Sequence, residues 1–316
     1  MAKAMFKWHD SIWVEKYRPK KLEDLILNKD YREKFEFFLK IKEIKNIILE
    51  GSQGVGKSTL TDIFITQIPC EIKLVNASDN RGLELIREQI VPFVTTSSFE
   101  PLKIVILEEG DKLTPDAQDS LKVLTEQYTE DVRFIITCNN VDLLNAPLRS
   151  RFQEFHIQTP SEEQVKKRCK FILEKENVTY EELELDTIIR YNFPDIRKTI
   201  QYLDQHSING VLKLDREFFN ILNYEKQIIE TLKKSNKTNY IDLVTDIRQL
   251  IANTKIRSFV TLYKYLYKNI DEYLPKNKII GGIITLHLGI KEDTQIPDKE
   301  INLITTLIKL LELKNG

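Results

Sequence analysis

Four short runs of branched apolar residues punctuate the first half of the chain. They are IILE at 47–50, IKLV at 72–75, KIVIL at 103–107 and VRFIIT at 132–137. Runs of this length without polar alternation predict parallel strands covered on both faces. Helical periods lie between them, over Ser58–Ile65, Gly82–Val91 and Pro115–Gln127. Strand and helix in alternation predict an α/β domain with a parallel sheet. It ends near residue 157, where FHIQTP runs into Pro160, and no strand is expected beyond it. Ser161 followed by Gln164 is a capping box that opens a helix reaching Asn177. Helices over Glu181–Tyr191 and from near Pro194 to His206 complete a small helical domain. From about Glu217 the pattern stays helical, through FFNILNYEKQIIETLKK, YIDLVTDIRQLIA, Ile256–Ile270 and INLITTLIKLLELK. The expected division is 1–157, 158–225 and 226–316. In the last helix Ile301, Leu303, Ile304, Leu307, Ile308, Leu310 and Leu311 cover most of the surface. A helix that apolar packs on several neighbours, in the core of a third domain or on another subunit.

Composition narrows the class. The chain has 316 residues, too many for one small core. Its 41% apolar and 30% charged residues are ordinary for a soluble fold. A formal net charge of -1 excludes a chain basic all over and leaves room for a local basic strip. Cys70, Cys138 and Cys169 are widely spaced, which supports neither a zinc knuckle nor a disulfide framework. No apolar stretch reaches the roughly 20 residues of a membrane span. The opening MAKAMFKWHD lacks the apolar run of a signal peptide. An intracellular, soluble protein is expected, with no membrane partner.

The strand ends carry the chemistry. GSQGVGKS at 51–58 has the spacing G-x-x-x-x-G-K-S between a strand and a helix. Gly51, Gly54 and Gly56 permit tight backbone geometry, and with Val55 between them the loop turns its N–H groups inward to cradle phosphate. Lys57 supplies a mobile positive charge, and Ser58, with Thr59 second to it, offers a hydroxyl to Mg²⁺. The next apolar strand hands over directly to acid, as ILEEGD at 106–111. Glu108 stands where a carboxylate can hold Mg²⁺, directly or through water. Glu109 can polarise an attacking water, and Asp111 orders the turn that follows. Asn139, ending FIITCNN, is either an ordinary loop residue or a donor to water or phosphate. Arg149 and Arg151 pair with carboxylates inside the domain or reach toward a neighbour's ATP. Arg197 lies off the apolar stripe of its helix, free to face a γ phosphate or a surface acid. Asn80, Arg81 and Arg87 flank a helix start, where they offer phosphate contacts to DNA. The two arginines are equally well spaced to pair with Glu84.

Together these motifs resemble the AAA+ clamp-loader ATPases of DNA replication, over essentially the full chain. The nearest form is the large, ATP-hydrolysing subunit of T-even-type bacteriophage clamp loaders. WVEKYRP at 13–19 is similar to the family's opening signature, which implies that Val14, Tyr17, Arg18 and Pro19 lie over the adenine. GSQGVGKS resembles Walker A, and ILEEGD resembles Walker B with Glu109 as its catalytic carboxylate. TCNN is similar to sensor 1, at Asn139, and FPDIRKTI to the phage form of sensor 2, at Arg197. LRSRF is similar to the element that makes Arg151 a trans-acting finger. Gln118, in DAQDSL, resembles the glutamine that couples the ATP site to the DNA-tracking surface. Two positions depart from the family: Glu108 replaces an aspartate, and Phe152 replaces a cysteine after the finger. The longer Glu108 is expected to leave nucleotide binding intact and to slow hydrolysis; Phe152 is expected to alter packing only.

The resemblance implies an AAA+ domain, a helical lid, and a helical collar that joins other copies to a distinct small subunit. ATP with Mg²⁺ would sit between subunits that open a sliding clamp on primer–template DNA. Two rivals stand beside it. One is another ring motor acting on DNA, such as a branch-migration or helicase-loading machine. The other is a structural subunit that holds ATP without hydrolysing it.

Overall fold

The computed structural model describes residues 12–214, 216–234, 240–252, 259–293, 296 and 298–315. The opening stretch 1–10 and residues 256–258 of the expected Ile256–Ile270 helix lie outside these. The described chain divides into two compact units, meeting in sequence at Leu212 and Lys213.

The first unit is built on five parallel strands: β1 (Ile47–Glu50), β2 (Glu71–Asn76), β3 (Lys103–Glu108), β4 (Val132–Cys138) and β5 (Gln153–His156). Their order across the sheet is β2-β3-β4-β1-β5. Alternate residues feed opposite layers. Ile104 and Ile106 of β3 join Phe35, Phe38 and Phe64 on one face. Val105 and Leu107 join Leu121, Ile86 and Ile90 on the other. Covering on both faces is why the central strands read as unbroken apolar runs.

β2 departs from that expectation. It is an edge strand, and Ile72 and Leu74 are exposed. β5 is a fifth strand that the apolar pattern did not mark. Only Phe155 of QEFH is buried, because this edge strand has one covered face.

Helices Lys57–Gln67 and Pro115–Gln127 follow β1 and β3 as expected. The helix after β2 covers 83–95 and widens into a π turn at Ile86–Ile90. Pro92, just beyond it, has no N–H for the carbonyl four residues back, and the wider turn absorbs that loss. Lys103 closes the end of this helix. Its buried ammonium donates to Phe93 O at 2.6 Å and to the carbonyl and hydroxyl of Thr96. Carbonyls at a helix C-terminus lack partners within the helix, and a cation there satisfies them.

Glu162–Lys175 begins with the full capping box of Ser161 and Gln164. Glu182–Asn192 and Ile196–His206 follow it. Strands do not stop at residue 157, however. Ser207–Ile208 and Val211–Leu212 form a two-stranded hairpin. Asn209 and Gly210 turn it with φ values of +53° and +76°, the signature of an Asn-Gly hairpin turn.

In the second unit every described element is helical: Arg216–Lys234, Tyr240–Ala252, Val260–Lys268, Ile270–Tyr273, a short turn at Lys276–Lys278, Ile279–Asp293 and Lys299–Asn315. Leu303, Leu307, Leu310 and Leu311 of the last helix are buried in this unit's own core, while Ile301 is exposed. The helix Ile279–Asp293 escaped the periodicity because Gly281, Gly282 and Gly289 dilute it. A Cβ at Gly289 would meet Thr306 Oγ1 at 2.6 Å, so close helix contact is what these glycines provide. Among the described residues no helix is long and apolar enough to cross a membrane.

Candidate functional site

The C-terminal ends of β1, β3 and β4 lie side by side in the sheet, as their register requires. In an open α/β sheet this edge is where ligands bind. A cavity of about 500 Å³ opens there, between the strand ends and the helices of 162–206.

The phosphate end of this cavity combines backbone with two cationic side chains. Gly54 and Gly56 have φ of +79° and +102°, a region that side chains disfavour. A Cβ on Gly54 would also fall 2.1 Å from Asp195 Oδ1. The loop between them is fixed from both sides: Val55 is buried in the core, and the Gly51 N–H donates to Cys138 O at the end of β4. Gly56 then caps the helix that begins at Lys57, so the helix N-terminus points into the cavity. Lys57 Nζ donates to Gly51 O at 2.7 Å, Ser52 O at 2.9 Å and Asn139 Oδ1 at 3.0 Å. Burial lowers its pKa below that of free lysine. The carboxylates of Asp111 and Glu109 oppose that shift, while the charge of Arg197 adds to it. Arg197 is exposed and lines the cavity with Ile196 and Ile200, so two cations, Lys57 and Arg197, line it.

Ser58 and Thr59 lie on the cavity wall, Thr59 being the more buried. Glu108 and Glu109 line the wall from the end of β3. A serine hydroxyl and a carboxylate are hard oxygen donors, too few for an all-protein cage. They suit Mg²⁺, which keeps several waters and shares phosphate oxygens. Glu109 adopts a left-handed backbone, φ +54°, and accepts a hydrogen bond from Ser78 Oγ at 2.5 Å. Asp111 sits in the following turn, as expected. It also crosses to the next strand, where Oδ2 accepts the N–H of Asn139 at 3.3 Å. The sequence reading missed both Ser78 and this link.

The base end is made of side chains. Val14, Tyr17, Arg18 and Pro19, the residues expected to lie over an adenine, line it. Arg168 joins them from helix Glu162–Lys175, a residue that no motif marked. No cysteine lines this cavity among the described residues, and burial pushes the Cys138 and Cys169 thiols up to about 12.

The remaining predicted residues lie outside this cavity. Arg149 pairs with Glu154 at 2.9 Å and Asp142 at 3.2 Å. Arg151 is half exposed and pairs with Glu126 at 2.6 Å, beside a second, shallow cavity. Phe152 packs, partly buried, against the core. Gln118 is buried; its Nε2 donates to Leu113 O and Leu143 O, and its Oε1 accepts from Asn145 N. Asn80 Oδ1 accepts the Gly82 N–H, and the Arg81 carbonyl accepts the Thr114 N–H. Arg81 and Arg87 are exposed, and among the described residues neither makes an ion pair with Glu84. A continuous hydrogen-bonded path therefore runs from Arg81 through Thr114 and Gln118 to the segment before Arg149.

A nucleotide-sized cavity at the edge of a 2-3-4-1-5 sheet, with a phosphate loop and a helical cap, defines a P-loop ATPase of the AAA+ class. Comparison with known proteins agrees. Residues 47–160 match the ATPase family associated with various cellular activities. Residues 160–215 match the AAA+ ATPase lid domain of the sliding-clamp-loader large subunit. The replication factor C small subunit of Sulfurisphaera tokodaii is 32% identical over 250 residues, 77% of this chain and 76% of that one. That of Saccharolobus solfataricus is 32% identical over 264 residues, 81% and 78%. Thermotoga maritima RuvB, a Holliday junction branch migration motor, shares the fold with TM-score 0.54 at 15% identity, over 80% of this chain and 91% of that one. The chain belongs to the clamp-loader family of AAA+ ATPases.

Proposed function

We propose that this chain is a clamp-loader subunit whose DNA-dependent ATP hydrolysis opens a sliding clamp and places it on primer–template DNA during replication. The observation that supports this reading best is the meeting of Lys57, Ser58, Glu109, Asn139 and Arg197 on one cavity wall. The lid match at 160–215 supports a large-subunit role, while the relatives at 32% identity are named small subunits; in either role the chain would work beside other clamp-loader subunits. The all-helical second unit favours a collar over a DNA-reading domain.

The residues divide the work. Loop amides, Lys57 and Arg197 neutralise the polyphosphate. Ser58 and Glu108 would hold Mg²⁺, which would neutralise charge at the phosphates. Asn139, oriented by Asp111 through its backbone, positions the attacking water. Glu109 accepts that water's proton once Ser78 releases it. Ser78 lies two residues before Asn80 and three before Arg81, so DNA phosphates gathered by Arg81 and Arg87 pull on the segment that restrains the base. Arg151 leaves Glu126 to meet a neighbour's γ phosphate, and the Gln118 path ties that movement to the DNA face.

Phosphate release tests this, measured with primed DNA, clamp and small subunit at saturation. The parent should turn over faster with DNA than without it, and Glu109→Gln should bind ATP yet fall to background. Equal rates for the two would defeat the catalytic assignment. A parent that retains ATP without turnover would establish the non-hydrolysing structural subunit instead.

A further inference from the structure

The base end of the cavity has two walls, and they are fastened to different parts of the first unit. Residues 13–17 are tied to the helical cap. The Trp13 N–H donates to Asp204 Oδ2 at 3.1 Å, and the Tyr17 hydroxyl donates to Glu176 Oε1 at 2.5 Å. Lys16 Nζ meets the same carboxylate at 2.5 Å. Arg168 Nη2 donates to the Tyr17 carbonyl at 2.7 Å, and the Tyr17 ring packs edge-on against Phe171.

Residues 22–25 are tied to the sheet domain instead. Arg32 donates to Leu22 O at 2.7 Å and to Leu25 O at 2.8 Å, and both leucines are buried in the core. Between these two anchorages lie only residues 18–21. Arg18 there makes an ion pair with Asp62 of the phosphate-loop helix at 2.5 Å.

From this geometry we infer that Arg168 and Glu176 are positioning residues for the base. They make the wall of Val14 and Tyr17 travel with the helical cap, hinging at residues 18–21 against the fixed wall of Asp24, Leu25 and Ile26. The inference rests on the proposed ATP site. Its consequence is that base contact reports on how the segment 13–17 sits with the cap, while the phosphates meet the loop amides and Lys57 of the sheet domain together with Arg197 of the cap. A few chain positions between two rigidly held segments are sufficient for such a hinge. The Arg18–Asp62 pair is its latch.

The test is equilibrium binding of two probes, ATP and inorganic tripolyphosphate, each with Mg²⁺. The full chain is compared with Arg168→Met, Glu176→Ala and Tyr17→Phe. Loss of these charge-assisted contacts should weaken ATP roughly five- to tenfold and leave tripolyphosphate within twofold. Arg168→Lys should recover part of the loss, since it keeps a donor to the Tyr17 carbonyl. Equal weakening of both probes in Arg168→Met would place this arginine on the phosphates and overturn the inference. ATP binding unchanged in all three variants would overturn it too. Tyr17→Phe keeps the ring and the fold, so its result stands even where Arg168→Met or Glu176→Ala fails to fold. A parent that binds neither probe would overturn the ATP site itself, a different failure from either of these.

Discussion

The two ends of the nucleotide cavity are made of different material. At the phosphate end the contacts are backbone amides on glycine turns, braced by a hydrogen bond from Gly51 to the neighbouring strand, with the side chains of Lys57 and Arg197 beside them. At the base end they are side chains that bridge two anchorages. Phosphate recognition asks for charge and close approach, which the glycine loop, Lys57 and Arg197 supply together. On the inferred base wall, base recognition falls to side chains whose contacts link residues 13–17 to the helical cap.

The strongest way to break this contrast is to remove chemistry at the phosphate end alone. Glu109→Gln should cut turnover by about 10²–10⁴-fold while ATP affinity stays within threefold, read by single-turnover hydrolysis beside equilibrium binding. Next in size, Gly54→Ala should weaken both ATP and tripolyphosphate by about tenfold or more, because its Cβ meets Asp195 and its backbone is left-handed. A Gly54→Ala chain that lost ATP affinity but kept tripolyphosphate affinity would erase the distinction between the two ends. Ser78→Ala frees Glu109 and should raise the DNA-independent rate about two- to fivefold, so that DNA stimulates less. A stimulation ratio equal to the parent's would show that Ser78 does not restrain the base.

The smallest effect is one of pH. Burial lowers the Lys57 pKa, so the neutral form appears at lower pH than for free lysine. ATP binds the charged form. Affinity should therefore decline as pH rises through that lowered value, with proton uptake on binding in the same window. Lys57→Met should flatten the profile, which calorimetry in buffers of different ionisation enthalpy would measure.

The motifs that announced themselves were those where spacing and element coincide. GSQGVGKS sits between a strand and a helix, and ILEEGD ends a strand covered on both faces. What stayed hidden needed a partner distant in sequence. Ser78 is one hydroxyl in a polar loop until β2 and β3 pair and bring it to Glu109. Arg168 looks like any surface arginine of an amphipathic helix until Tyr17 folds onto it. β5 was missed because an edge strand with one buried residue carries almost no pattern. The hairpin at 207–212 was legible in principle, since Asn-Gly flanked by apolar pairs is a turn signal that a helix-only reading passed over. The helix at 279–293 was obscured by the glycines that let it pack closely.

Lys103 carries an unexpected practical consequence. Its amine is held by the carbonyls that end the helix 83–95 and is only 3% exposed. Acylating reagents that label surface lysines should leave it untouched for as long as the segment from Phe93 to Leu102 keeps its shape. In a mass-spectrometric footprint that silent amine becomes an internal reporter: the first trace of label on it would time the loosening of this corner of the sheet, with no dye or mutation introduced.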